Sequence, residues 1–267
     1  MDKYTEDILS SQTYINPLRY ISGRIVEYDM KSANISVLLQ RGVIDFSTYD
    51  RLSRLDKRSR EVEIGLMIKY QPDIYTEIAK GIKEYKYKFI EANNIDGIQI
   101  VRVANDAIYI NTSVDLLYTN FDQYIEFRPK SISNVMININ KVLAFVSFIN
   151  DQISIDIKGI SPEMCTLHSD YMITVIATVV YYIERSNVED ALSYISNIID
   201  DYINHRLDVN YYREFNPDSL FVINFRGDKM GLLSVEEKDK GLLNIDYNLV
   251  VLRELWSIVL ELYNRGN

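Results

Sequence analysis

The chain has 267 residues, 47% of them hydrophobic, and its 38 acidic against 29 basic residues leave a formal net charge of −9. Such a composition excludes a disordered chain, which lacks the apolar surface to offset chain entropy, and the acidic balance argues against a protein that coats phosphate backbone without specificity. With Cys165 as the one cysteine and His168 and His205 as the only histidines, a disulfide within the chain and a tetrahedral Cys/His zinc centre are both excluded, so a bound metal is expected to have oxygen ligands.

The first residues, MDKYTEDILSSQTY, lack the basic start, apolar run and small-residue cleavage site of a secretory signal, which gives the expectation of a cytoplasmic protein. The longest apolar run, residues 171–183, is well short of the ~20 residues that span a bilayer, so it reads as a buried helix and no membrane contact is expected.

In chain order, a short helix is expected over residues 5–14. A strand over 24–28 leads through Asp29 into a helix over 32–41 that Gly42 can end. A helical stretch over 47–69 follows, and Pro72 can open another helix. There Ile74, Ile78, Ile82, Tyr85 and Phe89 form one buried stripe at spacings of three and four, with the lysines facing out. Asn93 and Asn94 end it. Residues 98–104 and 107–111 alternate as two strands of a hairpin with Asn105 and Asp106 at its apex, and further strands are expected at 123–127, 142–148 and 152–158. From His168 onward the pattern turns helical. The run 171–183 is followed by a capping-box pattern, Ser186 to Glu189, and by a second apolar stripe from Ala191 to Ile203. A late hairpin (220–225, 227–231, 232–235) and a terminal helix over 247–263 complete the chain. His168 reads as a structural histidine in a strand-to-helix connection, and Trp256 as core.

Asp29 and Asp106 each fall where a strand ends, on strands that can be neighbours in one antiparallel sheet. Two carboxylates so placed can hold the paired divalent ions that phosphoryl or nucleotidyl transfer uses, and hard oxygen ligands suit Mg²⁺. The plainer alternative makes one a helix cap and the other a turn residue. The run from Arg51 to Arg60 (RLSRLDKRSR) is the one strongly basic segment. Its Arg and Lys could neutralise phosphates, or lie on a solvated helix face with Asp56, Glu61 and Glu63.

Two segments carry a resemblance. IVEYDMKSANIS, residues 25–36, resembles motif A of the family B DNA polymerases, with Asp29 at the metal-ligand position. VRVANDAIYI, residues 101–110, resembles motif C, with Asp106 at the second Asp of its hairpin. Ala104 stands where the first Asp of that pair would be, and Asn34 where the sugar-stacking tyrosine would be. Only 76 residues separate the two aspartates, with no Lys-x3-Asn-x2-Tyr-Gly fingers signature between them.

The resemblance implies an α+β fold: an antiparallel palm-like sheet backed by helices over residues 1–160, with reduced fingers, then a helical thumb-like part with a late hairpin and C-terminal helix over 161–267. It implies a reduced nucleotidyltransferase working by two-metal phosphoryl transfer. Asp29 and Asp106 would be its Mg²⁺ ligands and catalytic residues; Lys57, Arg58, Arg60 and Asn34 would bind nucleotide, and its partners would be nucleic acid and a nucleoside triphosphate. The alternative is a non-catalytic polymerase-derived protein that binds or assembles with protein partners.

Overall fold

The computed structural model describes residues 2–11, 13–139, 142–150, 152–158, 162–208, 211, 213–216, 220–225, 228–234 and 247–266, with the segments 162–172, 213–234 and 247–248 described as backbone only. The fold is α+β, with antiparallel sheet, helices backing it and a helical C-terminal part. By internal contacts the chain forms two compact units, residues 1–17 with 23–133, and residues 18–22 with 134–267. The late hairpin's residues 227 and 235, and the residues between its strands, fall outside the described set.

In the first unit, helix α1 (Lys3–Ser10) is capped by Asp2, whose carboxylate accepts from the Thr5 amide. It ends four residues earlier than expected, because Tyr14 and Ile15 form a two-residue strand β1 (Tyr14–Ile15) against Val103 and Arg102. Strand β2 (Tyr20–Met30) is longer than expected, and helix α2 (Ala33–Gln40) follows it. The single helix expected over 47–69 is two, α3 (Phe46–Ser53) and α4 (Lys57–Tyr70). Asp45 and Asp56 each accept a backbone amide three residues on, and each such cap starts a new helix.

Helix α5 (Asp73–Ala92) buries the expected stripe, and one residue departs from expectation: Lys86, read as facing out, is buried. Its Nζ donates to the carbonyl oxygen of Ala104 at 2.6 Å, a partner 18 residues away that helix periodicity alone does not reveal.

The strand order in this unit is β1, β3 (Ile100–Val103), β4 (Ala107–Asn111), β2 and β6 (Ile125–Ile139), with β5 (Asn120–Asp122) against β6. Strand periodicity sends Val26, Tyr28 and Met30 into a core with Ile108 and Ile110, and α2 and α5 supply the other side of that core. Phe89 stacks on Phe127 at 4.4 Å and meets Tyr28 at 5.2 Å. Burying side chains of this size contributes roughly 1.5–3 kcal/mol each. The helices α2 and α5 approach so closely at Gly81 that a Cβ there would lie 2.2 Å from Cγ1 of Val37.

In the second unit, β7 (Val142–Ile149) pairs with the end of β6 and with β8 (Gln152–Lys158). Helix α6 (Pro162–Glu184) begins earlier than expected, since Pro162 has a fixed φ suited to a first turn. His168 therefore lies inside a helix and not in a strand-to-helix connection. A three-residue connection leads to α7 (Val188–Ile203), whose cap is Asn187 accepting from the Asp190 amide at 3.2 Å, not the expected Ser186 and Glu189 box. Ser186 takes a positive φ of 59° and so forms the turn itself.

Strands β9 (Arg213–Asn216), β10 (Leu220–Phe225) and β11 (Asp228–Ser234) form a separate antiparallel sheet in which β10 is central. The late hairpin is thus present, and its third strand precedes it in sequence. In α8 (Tyr247–Gly266), Leu252, Leu255 and Val259 are buried, while Trp256 is 37% exposed and donates its indole N–H to Oγ of Ser196 at 3.0 Å. Trp256 is thus at the edge of the core: helical spacing identifies the buried stripe but not its width. No helix among the described residues is long and apolar enough to cross a membrane.

Candidate functional site

The hairpin of β3 and β4 turns at Asn105 and Asp106, closed by the Ala104 amide donating to the carbonyl of Ala107 at 2.9 Å. In the adjoining strand β2, Asp29 stands opposite Ala107. The amide of Met30 donates to the carbonyl of Asp106 at 3.0 Å, so the two aspartates occupy the same end of two hydrogen-bonded strands. Because side chains alternate along a strand, Asp29 shares a face with Glu27 and Ile25, opposite the face that packs Val26, Tyr28 and Met30 into the core.

Asp29 is partly buried. Burial and the negative charge of Asp106 together raise its carboxyl above the ordinary carboxylate range, with Glu27 adding to the effect and Lys130 and Lys57 tempering it. The charge of Asp106 thus opposes ionisation of Asp29, an opposition that a divalent cation would relieve. Two hard oxygen donors under mutual repulsion fit Mg²⁺, which needs only one or two protein carboxylates. Among the described residues no group of three or more Asp, Glu, His or Cys forms a ready cage, so most of the ion's ligands would be water or substrate oxygens.

Three residues around the pair escaped the sequence patterns. Glu27 is buried, and its carboxylate accepts from Nζ of Lys130 at 3.1 Å and Oγ of Ser131 at 2.8 Å. Burial opposes its ionisation, but the hydrogen bonds of Ser131 and Lys130 outweigh that and hold the carboxyl below the usual range. Lys130 is raised by its bond to Glu27, and the charges of Asp29 and Asp106 also favour its ammonium. Lys86 approaches from α5 under the turn. Burial pushes its amine down to about 8, against the pull of Asp106. The signal for Glu27 was its spacing of two from Asp29; Lys86 and Lys130 carried none, since each depends on a contact distant in sequence.

The turn from β2 into α2 passes through Ser32, which holds a left-handed φ of 48° without capping the helix by its side chain. Non-glycine residues in that region cost of order 1–3 kcal/mol. The strained turn starts α2 four residues after Asp29, and Asn34 in its first turn lines a cavity with Lys86 and Asn105.

In the basic segment, Arg51 bonds Glu63, Arg54 pairs with Asp50 at 2.6 Å, and Lys57 stands 3.8 Å from Glu61. Arg58 and Arg60, in the first turn of α4, form no ion pair among the described residues. The charge of Lys57 favours the ionised form of Asp29.

None of the curated proteins matches the chain. A family model described as "Bacteriophage PBS1 gene 130 protein", a description that names a phage gene and states no activity, matches residues 4–261. That span is nearly the whole chain, so this protein belongs to the Bacteriophage PBS1 gene 130 protein family.

Proposed function

We propose that the protein is a reduced nucleotidyltransferase of the family B polymerase type, with Asp29 and Asp106 as its Mg²⁺ ligands and nucleic acid and a nucleoside triphosphate as its partners. The single observation that carries this reading is the pairing of β2 with β4, which sets Asp29 opposite Ala107 and joins Met30 to Asp106, so that the residues of two motif-like segments meet at one sheet end. The bound ion would supply electrostatic stabilisation of charge building on the phosphates and activation of the attacking hydroxyl.

The chain's own residues would do the rest. Asp29 and Asp106 would hold the cation at the sheet end, and Arg58 and Arg60, without a carboxylate partner among the described residues, would neutralise the outer phosphates, with Lys57 and Lys130 favouring the ionised form of Asp29. Bond making between a hydroxyl oxygen and the α-phosphorus would release pyrophosphate. The test is pyrophosphate release with a primed template and deoxynucleoside triphosphates. Activity in the parent that falls by at least about a hundredfold in Asp29→Asn and in Asp106→Asn supports the reading. Activity that is equal in parent and variants sinks it.

A second reading, a non-catalytic descendant that binds protein partners, is favoured by Ala104. Its carbonyl takes the ammonium of Lys86, so a cation of the protein's own lies beside the position where a further carboxylate would stand. On that reading Mg²⁺ has no effect on either parent or variants.

A further inference from the structure

Helix α5 carries Lys80, Lys83 and Lys86 at intervals of three, which brings them to one side of the helix. All three line a cavity of about 470 Å³, within the size range of small-molecule sites. Its apolar wall includes Leu9 and Ile82, and Asn34 and Asn105 add polar edges. No Asp or Glu lines it, although the chain as a whole carries 38 acidic against 29 basic residues.

Carboxylates outside the cavity reach two of these lysines: Glu77 pairs with Lys80, and the charge of Asp106 favours the ammonium of Lys86. Glu77, 3.5 Å from Lys80, is already engaged by Arg41 at 2.6 Å. Lys83 lies 5.9 Å over the ring of Tyr87 and forms no ion pair among the described residues. Lys86 is buried, its ammonium donating to the Ala104 carbonyl. Lys80 and Lys83 are exposed and Lys86 is buried, so the cavity offers an anion with a carbon body two accessible cations beside an apolar wall.

We propose that this cavity is a binding site for a small organic phosphate. The phosphate sits between Lys80 and Lys83, the carbon body lies on the apolar wall above Lys86, and the ligand's polar edge meets Asn34 and Asn105. The site is separate from the carboxylate pair, since neither Asp29 nor Asp106 lines the cavity, and it stands whether or not the protein is a nucleotidyltransferase. Asn105 precedes Asp106 in the same turn, so an occupied cavity would hold the turn that carries Asp106.

The test is calorimetric titration of the full chain with adenosine 5′-monophosphate, inorganic phosphate and adenosine, all in EDTA. Lys80 and Lys83 are exposed, so the doubly reversed variant Lys80→Glu/Lys83→Glu keeps the core intact. The monophosphate is expected to bind the parent at least about tenfold more tightly than either phosphate or adenosine alone. It is expected to lose at least about tenfold in the double variant. Any of three results overturns the proposal: no binding of the monophosphate up to about 5 mM, equal affinity for inorganic phosphate, or unchanged affinity in the double variant.

Discussion

The amide of Met30, the residue after Asp29, donates to the carbonyl of Asp106 at 3.0 Å. This backbone bond, and not a side-chain contact, sets the register in which Asp29 faces Ala107 and its carboxylate meets the field of Asp106. Side-chain substitutions at either aspartate should therefore leave the sheet in place, so the variants report on charge.

The first prediction concerns Asp29→Asn without divalent cations. The Asp29 carboxyl binds its proton more tightly folded than unfolded, because of burial and Asp106. Its contribution to stability is present below the unfolded pKa and is lost as pH rises through the folded one. Chemical denaturation in EDTA at about pH 3 and about pH 7 should show the Asn variant gaining on the parent as pH rises. A variant that loses ground between those conditions contradicts the assigned repulsion.

Lys130→Ala should destabilise the first unit. Glu27 has the opposite linkage: its carboxyl is held low, so its contribution is present above the unfolded pKa and is lost as pH falls through the folded one. Removing Lys130 leaves a buried carboxylate with Ser131 and Tyr109 as donors, a loss of about 1–3 kcal/mol at neutral pH. Lys130 is half-exposed and water can replace part of what is lost, which favours the lower end. Glu27→Gln combined with Lys130→Ala should recover part of the loss in a double-mutant cycle.

Two glycines in helices should respond with opposite signs. Gly65 in α4 has open space around its Cα, so Gly65→Ala should stabilise by about 0.5–1 kcal/mol through helix propensity. Gly81→Ala gains the same propensity but drives a methyl to 2.2 Å from Val37, and overpacking at about 1–3 kcal/mol should win. Thermal unfolding of the two variants checks the pair; a stabilised Gly81→Ala would mean that α2 and α5 are not in this contact.

Nucleic-acid binding, if the proposed function holds, should depend on the start of α4. The triple variant Lys57→Ala/Arg58→Ala/Arg60→Ala should bind more weakly than the parent, and the parent's affinity should fall steeply with salt. A fluorescence-anisotropy titration in which parent and triple variant coincide removes this segment from the site.

The hairpin, the stripe on α5 and the α+β class were legible because each rests on local periodicity: Ile74 to Phe89 at helical spacing, and alternating residues on either side of Asn105 and Asp106. Boundaries that depend on one residue were partly legible; the caps at Asp45 and Asp56 have the right chemistry, yet a continuous polar run hides the break between α3 and α4. Strand β6 was read only in its first residues, since Pro129, Lys130 and Ser131 interrupt alternation, though the first two of these are exposed and the strand runs on to Ile139. What sequence could not carry was long-range pairing. Lys86 looks like one more surface lysine until the Ala104 carbonyl gives it a buried partner, and Glu27 is tolerated inside because Lys130, Ser131 and Tyr109 reach it from other strands.

The most direct measurement is a thermal-shift series with and without Mg²⁺ on the parent, Asp29→Asn and Asp106→Asn. An ion that binds only the folded protein stabilises it by mass action, about 1.4 kcal/mol at tenfold excess over the dissociation constant, or roughly 3–6 °C in a unit of this size. The account predicts that rise in the parent and its absence in both variants, which should melt no lower than the parent without Mg²⁺. Curves that Mg²⁺ leaves unmoved in all three proteins would mean that Asp29 and Asp106 do not hold a cation, and the nucleotidyltransferase reading would fall with them.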